Sequence, residues 1–234
     1  MAKQGSKRIK EAREMVDNKK LYSLDKSLEM IKEFPEVNFD ESIEMHYNLG
    51  VNPKYADQMV RGTIVLPNGI GKEVKVLVFA KGDKKTEAEE AGADFVGSDD
   101  LIEKVEDGWT DFDIAIATPN MMSEIGKLGR ILGPRGLMPN PKAGTMTDDI
   151  QKAVKESKAG KMEYKVDKYG VIHTIVGKRS FSSDDIKENI LALTGEILNQ
   201  RPKSIKGRYL KTVYITPSMN PSIKLDPSDL IREV

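Results

Sequence analysis

The chain has 234 residues, 38% of them hydrophobic and 32% charged, with 37 basic and 37 acidic side chains and no cysteine. These fractions exclude a disordered chain, and no apolar run approaches the roughly 20 residues that a membrane-spanning helix needs. The missing thiols exclude disulfides, zinc fingers and thiolate catalysis and suit a reducing compartment; the length allows one large domain or two modest ones.

In chain order, the first twenty residues read as a basic helix. Lys3, Lys7, Arg8, Lys10, Arg13, Lys19 and Lys20 outnumber the acids there, which by itself describes a solvated face. No apolar stretch follows this charge, unlike a secretory leader. Ser23 is a suitable N-cap for a helix carrying Leu24, Leu28 and Ile31 on one face and stopping near Pro35. From Phe39 to Leu49, apolar Phe39, Ile43, Met45 and Tyr47 occupy odd positions, and polar Asp40, Ser42, Glu44, His46 and Asn48 occupy even ones. That period of two predicts a strand with one buried and one wet face. Asn52-Pro53 then turns the chain into a second strand, Gly62–Leu66, ended by Pro67-Asn68-Gly69.

The middle section changes character. Val74–Ala80 is a nearly continuous apolar strand, followed by a helix over Lys84–Ala91 and a short strand at Asp94–Val96. Ser98 caps a further helix through Val105, and Asp113–Ala117 is again an apolar strand. Strand and helix alternating with short connections predict a small parallel sheet covered on both faces. A stretch rich in glycine and proline fills Gly129–Gly144, and a polar helix runs from about Asp148 to Ala159.

Beyond Gly160 the pattern is antiparallel again. Lys161–Val166 and Val171–Val176 are strands joined by the turn Asp167-Lys168-Tyr169-Gly170. Ser182 or Ser183 caps a long helix with Ile186, Ile190, Leu193 and Ile197 at helical spacing. A last strand covers about Gly207–Thr216, and the tail from Pro217 is proline-rich and polar. The expected fold is therefore mixed, α/β and α+β: a discontinuous two-layer α+β domain from residues 1–69 and 160–234, with an α/β domain inserted at 70–159. Two linkers lying side by side would hinge the pair.

Charge follows the same division. Residues 70–159 carry 13 basic and 17 acidic side chains, which leaves 24 and 20 for the two ends. Arg201, Lys203, Lys206, Arg208 and Lys211 form a basic cluster with no acid among them. The ends are thus the better match for a polyanion.

Enzyme-like signals are thin. Gly69-Ile70-Gly71-Lys72 precedes a strand, where a dinucleotide fingerprint has to follow one. No phosphate-loop pattern occurs. Lys81–Thr86 follows a strand and opens a helix, so it could hold an anion, although a solvated turn is the simpler reading. His46 and His173 sit at strand positions without a metal-binding or triad spacing. A nucleotide- or sugar-phosphate-binding enzyme built on the middle section is the competing reading, and nucleotide-dependent thermal stabilisation would favour it.

Three stretches carry a resemblance. The first runs Phe39-Asp40-Glu41-Ser42-Ile43-Glu44-Met45-His46, continues at Leu49-Gly50 and Asp57–Gly62, and ends at Leu66-Pro67-Asn68-Gly69. The second is Leu128–Lys142, with Gly133-Pro134-Arg135-Gly136-Leu137-Met138-Pro139 at its centre. The third is Tyr214-Ile215-Thr216-Pro217-Ser218-Met219-Asn220-Pro221-Ser222. Together they resemble the L-one family of large-ribosomal-subunit proteins, which forms the mobile stalk beside the exit site for spent transfer RNA.

The resemblance implies that the inserted domain is Rossmann-like with three layers, and that the protein is no enzyme and needs no cofactor. It implies an RNA-binding constituent of the cytoplasmic large ribosomal subunit, monomeric off the ribosome and without a membrane partner. Its partners would be large-subunit rRNA, exit-site tRNA and its own operon's mRNA, whose translation it would repress. Carried over by motif, the RNA-contacting residues are Phe39, Ser42 and Glu44 on the first strand, Asp167, Lys168 and Tyr169 in the hairpin turn, Thr212 on the last strand, and Ser218, Met219 and Asn220 in the turn after it. Phe39 offers RNA a flat apolar face, or by its parity is a core residue.

Where the family typically has Thr-Met-Gly, this chain has Ser218-Met219-Asn220. Serine keeps the hydroxyl. Asparagine in place of glycine tolerates a left-handed backbone better than most residues, so the turn is expected to keep its shape with altered contacts. The basic N-terminal segment and the Arg201–Lys211 cluster would add phosphate attraction. Arg130, Arg135 and Lys142 could touch RNA or brace a rigid loop, with a structural and hinge role the favoured one.

Overall fold

The computed structural model describes residues 6–234 except the side chain of Lys142, so that side chain, Lys3 and the start of the basic segment lie outside what is described. The chain divides into two compact units, Met1–Gly71 with Glu163–Val234, and Lys72–Met162.

The first unit opens with helix α1 (Lys7–Glu14), shorter than the twenty residues expected, and α2 (Leu24–Glu33). Strand β1 (Ser42–Leu49) follows the predicted alternation: Ile43, Met45, Tyr47 and Leu49 are at most 1% exposed. After it come β2 (Arg61–Val65) and, in the second unit, β3 (Val76–Phe79), α3 (Asp83–Glu90), β4 (Phe95–Gly97), α4 (Asp99–Glu106), β5 (Ile114–Ala117), α5 (Met122–Ile125), α6 (Gly129–Leu132) and α7 (Ile150–Lys158). The chain continues with β6 (Lys161–Lys165), β7 (Val171–Lys178), α8 (Ser183–Asn199), β8 (Leu210–Pro217), β9 (Ile223–Leu225) and α9 (Pro227–Glu233).

In the first unit β7, β1, β8 and β9 form one antiparallel sheet in that order, and β2 and β6 form a two-stranded ribbon. The inner face of the sheet carries the four apolar residues of β1 with Ile172 and Val176 of β7 and Val213 and Ile215 of β8, all buried. Helix α8 covers it with Ile186, Ile190, Leu193 and Ile197, and packs in turn on α2 and α9. Each of these side chains contributes about 1.5–3 kcal/mol by leaving water. Polar groups that enter the layer find partners: the Tyr47 hydroxyl meets Thr194 Oγ1 at 3.0 Å, and the Tyr209 hydroxyl donates to Ile197 O at 3.1 Å. Burial pushes the Tyr47 phenol above its ordinary range.

The cap of α8 is Ser182. Its hydroxyl accepts from Asp185 N at 3.0 Å, and the Asp185 carboxylate accepts from Ser182 N at 3.3 Å, a reciprocal pair that satisfies two orphan amides. Buried Asn189 takes a third task, accepting from Asn68 N and donating to Gly69 O and Val176 O, which pins the Pro67–Gly69 turn to the sheet.

In the second unit β4, β3 and β5 are parallel, with β3 central and all four of its residues fully buried. Leu77 and Phe79 join Leu101, Ile102 and Val105 of α4 in one apolar cluster. Helices α3 and α7 pack on each other and on β3. Ser98 does not cap α4 by its side chain; instead Asp100 Oδ1 accepts from Ser98 N at 2.9 Å.

Two segments carry elements that the sequence patterns did not mark. Residues 119–132 are a run of 3₁₀ and α turns with Met121, Ile125, Leu128 and Leu132 at most 1% exposed, so the glycine-rich stretch begins helically. In the tail β9 extends the sheet, and Asp226 caps α9 by accepting from Ser228 N, with Pro227 in the first turn.

Candidate RNA interface

Helix α8 covers the inner face of the antiparallel sheet of the first unit, and the even positions of β1 point the other way. Directly paired residues of an antiparallel sheet share a face, so the register lays out the outer face in rows. Glu44 lies between Ile175 and Thr216, His46 between His173 and Tyr214, and Asn48 between Val171 and Thr212. Lys224 of β9 extends the His46 row beyond Tyr214, and Lys178 pairs with Ser42 at the sheet's end. From Ser42 to Asn48 the face spans about 20 Å, at about 3.3 Å per residue.

Ser42, Ser218 and Met219 meet at one end of this face, and Phe39 lies three residues before Ser42 in the chain. Ser218 donates to Ser42 O from both its amide (3.0 Å) and its hydroxyl (3.2 Å), and Lys178 Nζ donates to Ser42 Oγ at 2.8 Å. Met219 is 52% exposed and Phe39 54%. Phe39 is therefore not a core residue. The strand begins only at Ser42, and Asp40 breaks the parity by accepting from the amide (3.0 Å) and the hydroxyl (2.7 Å) of Ser180. Phe39 instead lines an open cleft of about 310 Å³ with Lys32, Asp40, Arg179 and Ser180. Lys32 Nζ donates to the carbonyls of Arg179 and Phe181, and burial together with the Arg179 charge lowers its pKa.

Thr212 and the 167–170 turn occupy the far end. Asp167 Oδ1 accepts from both Tyr169 N and Val171 N at 2.8 Å, so this carboxylate shapes the turn. Partial burial opposes its ionisation, yet these amides and nearby His173 hold the carboxyl below its usual range. Gly170 has φ of 85°, and a Cβ there would stand 3.3 Å from the carbonyls of Leu49 and Val51. Lys168 Nζ stands 5.0 Å from the Tyr169 ring centroid, and Tyr169 is 74% exposed. Glu44 lies between the two ends, 3.8 Å from His46 Nε2.

The structure thus lays Ser42, Glu44, Thr212, Ser218 and Met219 along one face, with Lys168 and Tyr169 in the turn at its far end and Phe39 in the cleft beside Lys32 and Arg179. Asp167 serves the turn, and Asn220 is turned inward, only 7% exposed. Its Nδ2 donates to Glu41 and its Oδ1 accepts from Arg8. Nor does Asn220 adopt a left-handed backbone: among the described residues every positive φ belongs to a glycine. Asparagine is accommodated here by its two-sided hydrogen bonding.

Sequence reasoning missed the centre of the face. His46 and His173 are cross-strand partners with Nδ1 atoms 2.9 Å apart, and Asp167 lies 3.7 Å from His173 Nε2. Burial, then the neighbouring His173, pulls the His46 pKa down against the opposing pull of Glu44. The wet parity of β1 was the available signal; the pairing across 127 residues left none. Among the described residues no cluster of three or more His, Asp or Glu could hold a metal ion. Of the basic cluster, Arg201 is spent on its own loop, donating to the carbonyls of Ile205 and Gly207, while Lys203, Lys206, Arg208 and Lys211 are exposed. Lys81 is paired with Glu124 and Asp99, which removes the anion site read into Lys81–Thr86. In the glycine-rich stretch Arg130 and Arg135 are exposed, and Arg135 donates to Thr110 Oγ1.

Comparison with known proteins agrees in direction. A family model described as the Ribosomal protein L1p/L10e family matches residues 31–221. The chain is 55% identical over 227 residues to the large ribosomal subunit protein uL1 of Kosmotoga olearia, covering 97% of this chain and 98% of that one. It is 55% identical over 230 residues to the uL1 of Lactobacillus gasseri, covering 98% and 100%. The uL1 of Rubrobacter xylanophilus is 55% identical over 223 residues, covering 95% and 97%.

Proposed function

The chain belongs to the Ribosomal protein L1p/L10e family, and on that premise we propose that it is a constituent of the large ribosomal subunit that binds large-subunit rRNA through the open face of its antiparallel sheet. The family is one of ribosomal proteins, and the chain is not an enzyme. Among the described residues no helix is long and apolar enough to cross a membrane. The observation that carries the reading is the bare face itself, polar and one-sided, in a chain with this family membership.

Structured RNA is recognised through shape, 2′-hydroxyls and exposed bases more than through grooves. The hydroxyls of Ser42, Thr212 and Ser218 suit 2′-hydroxyls, and Glu44 accepts from a 2′-hydroxyl or a base amino group. Lys168 and Lys178 approach phosphates, and Phe39, Tyr169 and Met219 supply apolar contact. In this reading the bound rRNA is the mobile stalk beside the tRNA exit site, and the protein, acting in the cytoplasm, assists release of deacylated tRNA. The same face binds a similar site in the mRNA of its own operon. One face cannot hold both RNAs, so free protein represses that message only when rRNA is saturated. The domain division read from the sequence, residues 1–69 with 160–234 around 70–159, assigns this role to the discontinuous domain.

Filter binding of a large-subunit stalk RNA fragment across several salt concentrations tests the proposal. A marked preference over random RNA is expected, with affinity falling as salt rises. Equal affinity for both RNAs overturns it. An mRNA leader that fails to compete with the stalk fragment overturns the regulatory part alone.

A further inference from the structure

At the Ser42 end of the face lies a carboxylate that no sequence pattern singled out. Glu41 is completely buried, and its two oxygens receive three donors. Oε1 accepts from Met219 N at 2.8 Å; Oε2 accepts from Asn220 Nδ2 at 2.8 Å and from Arg179 Nη1 at 3.1 Å. Glu41 O accepts from Arg179 N at 2.8 Å. The same guanidinium donates to the carbonyls of Lys32, Phe34 and Pro35, closing the C-terminal end of α2. On the far side of the turn, Arg8 Nη1 donates to Asn220 Oδ1 and Nη2 to Met219 O, each at 2.7 Å.

We propose that Glu41 is the positioning residue of the RNA interface, holding Met219 outward for its partner, and that Asn220 is the clasp joining Glu41 to Arg8 of the N-terminal helix. The proposal rests on the RNA-binding reading above and deepens it. The backbone of Met219 is gripped from both sides, its N–H by Glu41 and its carbonyl by Arg8. With N–H and C=O both fixed, the side chain stands half exposed beside Ser218, itself anchored on Ser42. An apolar side chain held in water by a buried charged network contributes little to the core. Such rigidity lowers the ordering cost when a partner arrives.

The chemistry of Asn220 follows from its two neighbours. A carboxylate on one side needs a donor, and a guanidinium on the other needs an acceptor; one amide supplies both. Glycine would leave Glu41 with two donors and Arg8 with only Met219 O. Aspartate would set a second carboxylate against Glu41. A glutamine at 41 keeps the volume but offers one acceptor oxygen where two are used, and its amide would face other donors.

A merely structural role is separated from a positioning role by a double-mutant cycle on the full chain, with a stalk RNA fragment as probe and circular dichroism confirming the fold. E41Q and M219A are each expected to weaken binding by about tenfold, the scale of a lost charge-assisted hydrogen bond for the first and of a lost apolar contact for the second. The double variant should bind within about twofold of the weaker single one, because coupled residues are not additive. Affinity of E41Q equal to that of the unsubstituted chain, or a double variant whose loss is the product of the two, overturns the positioning role. If E41Q does not fold, N220G takes its place in the same cycle, because it leaves the Glu41–Arg179 pair intact. A loss that multiplies with that of M219A again overturns the proposal. Lack of stalk preference in the unsubstituted chain overturns the RNA reading itself, and the positioning role with it.

Discussion

The two main sheets of this protein solve the problem of burial differently. In the parallel sheet Val76, Leu77, Val78 and Phe79 are all buried, so both faces of β3 are spent on packing. In the antiparallel sheet β1 alternates, with α8 packed on the buried side and the even side chains of β1 partly exposed. A strand apolar at every position has nothing left with which to meet a partner. A strand with a second, polar set of side chains can keep a face in water and use it. The outer face meets that need with hydroxyls, a histidine pair and a carboxylate, leaving Ile175 among its few exposed apolar side chains.

Substitutions at matched places test this contrast. Phe79→Ala in the covered sheet is expected to cost about 3–5 kcal/mol of stability, read from urea denaturation. Its affinity for stalk RNA, measured on folded protein, should stay within about twofold, since the site is elsewhere. A large loss of affinity would break the contrast. Ser182→Ala removes one half of the reciprocal cap beneath the antiparallel sheet and should cost about 1 kcal/mol, again without touching affinity. On the bare face the pattern should invert: Thr212→Ala should cost under about 1 kcal/mol of stability, the range of strand propensity, yet weaken RNA binding several-fold.

The smallest effect concerns pH. Burial and His173 lower the His46 pKa in the folded state, so the unfolded chain takes up a proton first as pH falls. Stability from this site is therefore complete above the unfolded value of about 6.5 and declines as pH drops below it. Urea midpoints at neutral and mildly acidic pH should differ less in His46→Asn than in the unsubstituted chain. An unchanged difference would assign the pH dependence to other groups.

Much of the fold is legible in the sequence. The alternation of β1, the helical spacing of α8, the apolar run of β3 and the Asp167–Gly170 turn are short-range patterns, and each formed where expected within a few residues. The strand and helix of the tail went unread although their signal is local, since Asp226-Pro227 is a helix start and Ile223 and Leu225 alternate with Lys224. The core reading of Phe39 fails for the opposite reason: its odd position suits the buried face, but Ser180, 140 residues away, engages Asp40 and draws the chain out of the strand.

What the sequence by itself determined was therefore most of the elements and the wet or dry side of β1, because propensity, capping and periodicity act between near neighbours. Tertiary structure alone decided which wet sides adjoin. It paired His46 with His173, set Thr212 and Ser42 at opposite ends of one face, and turned Asn220 inward onto Glu41. Those outcomes depend on the register of strands far apart in the chain, and on which buried donor reaches which buried acceptor.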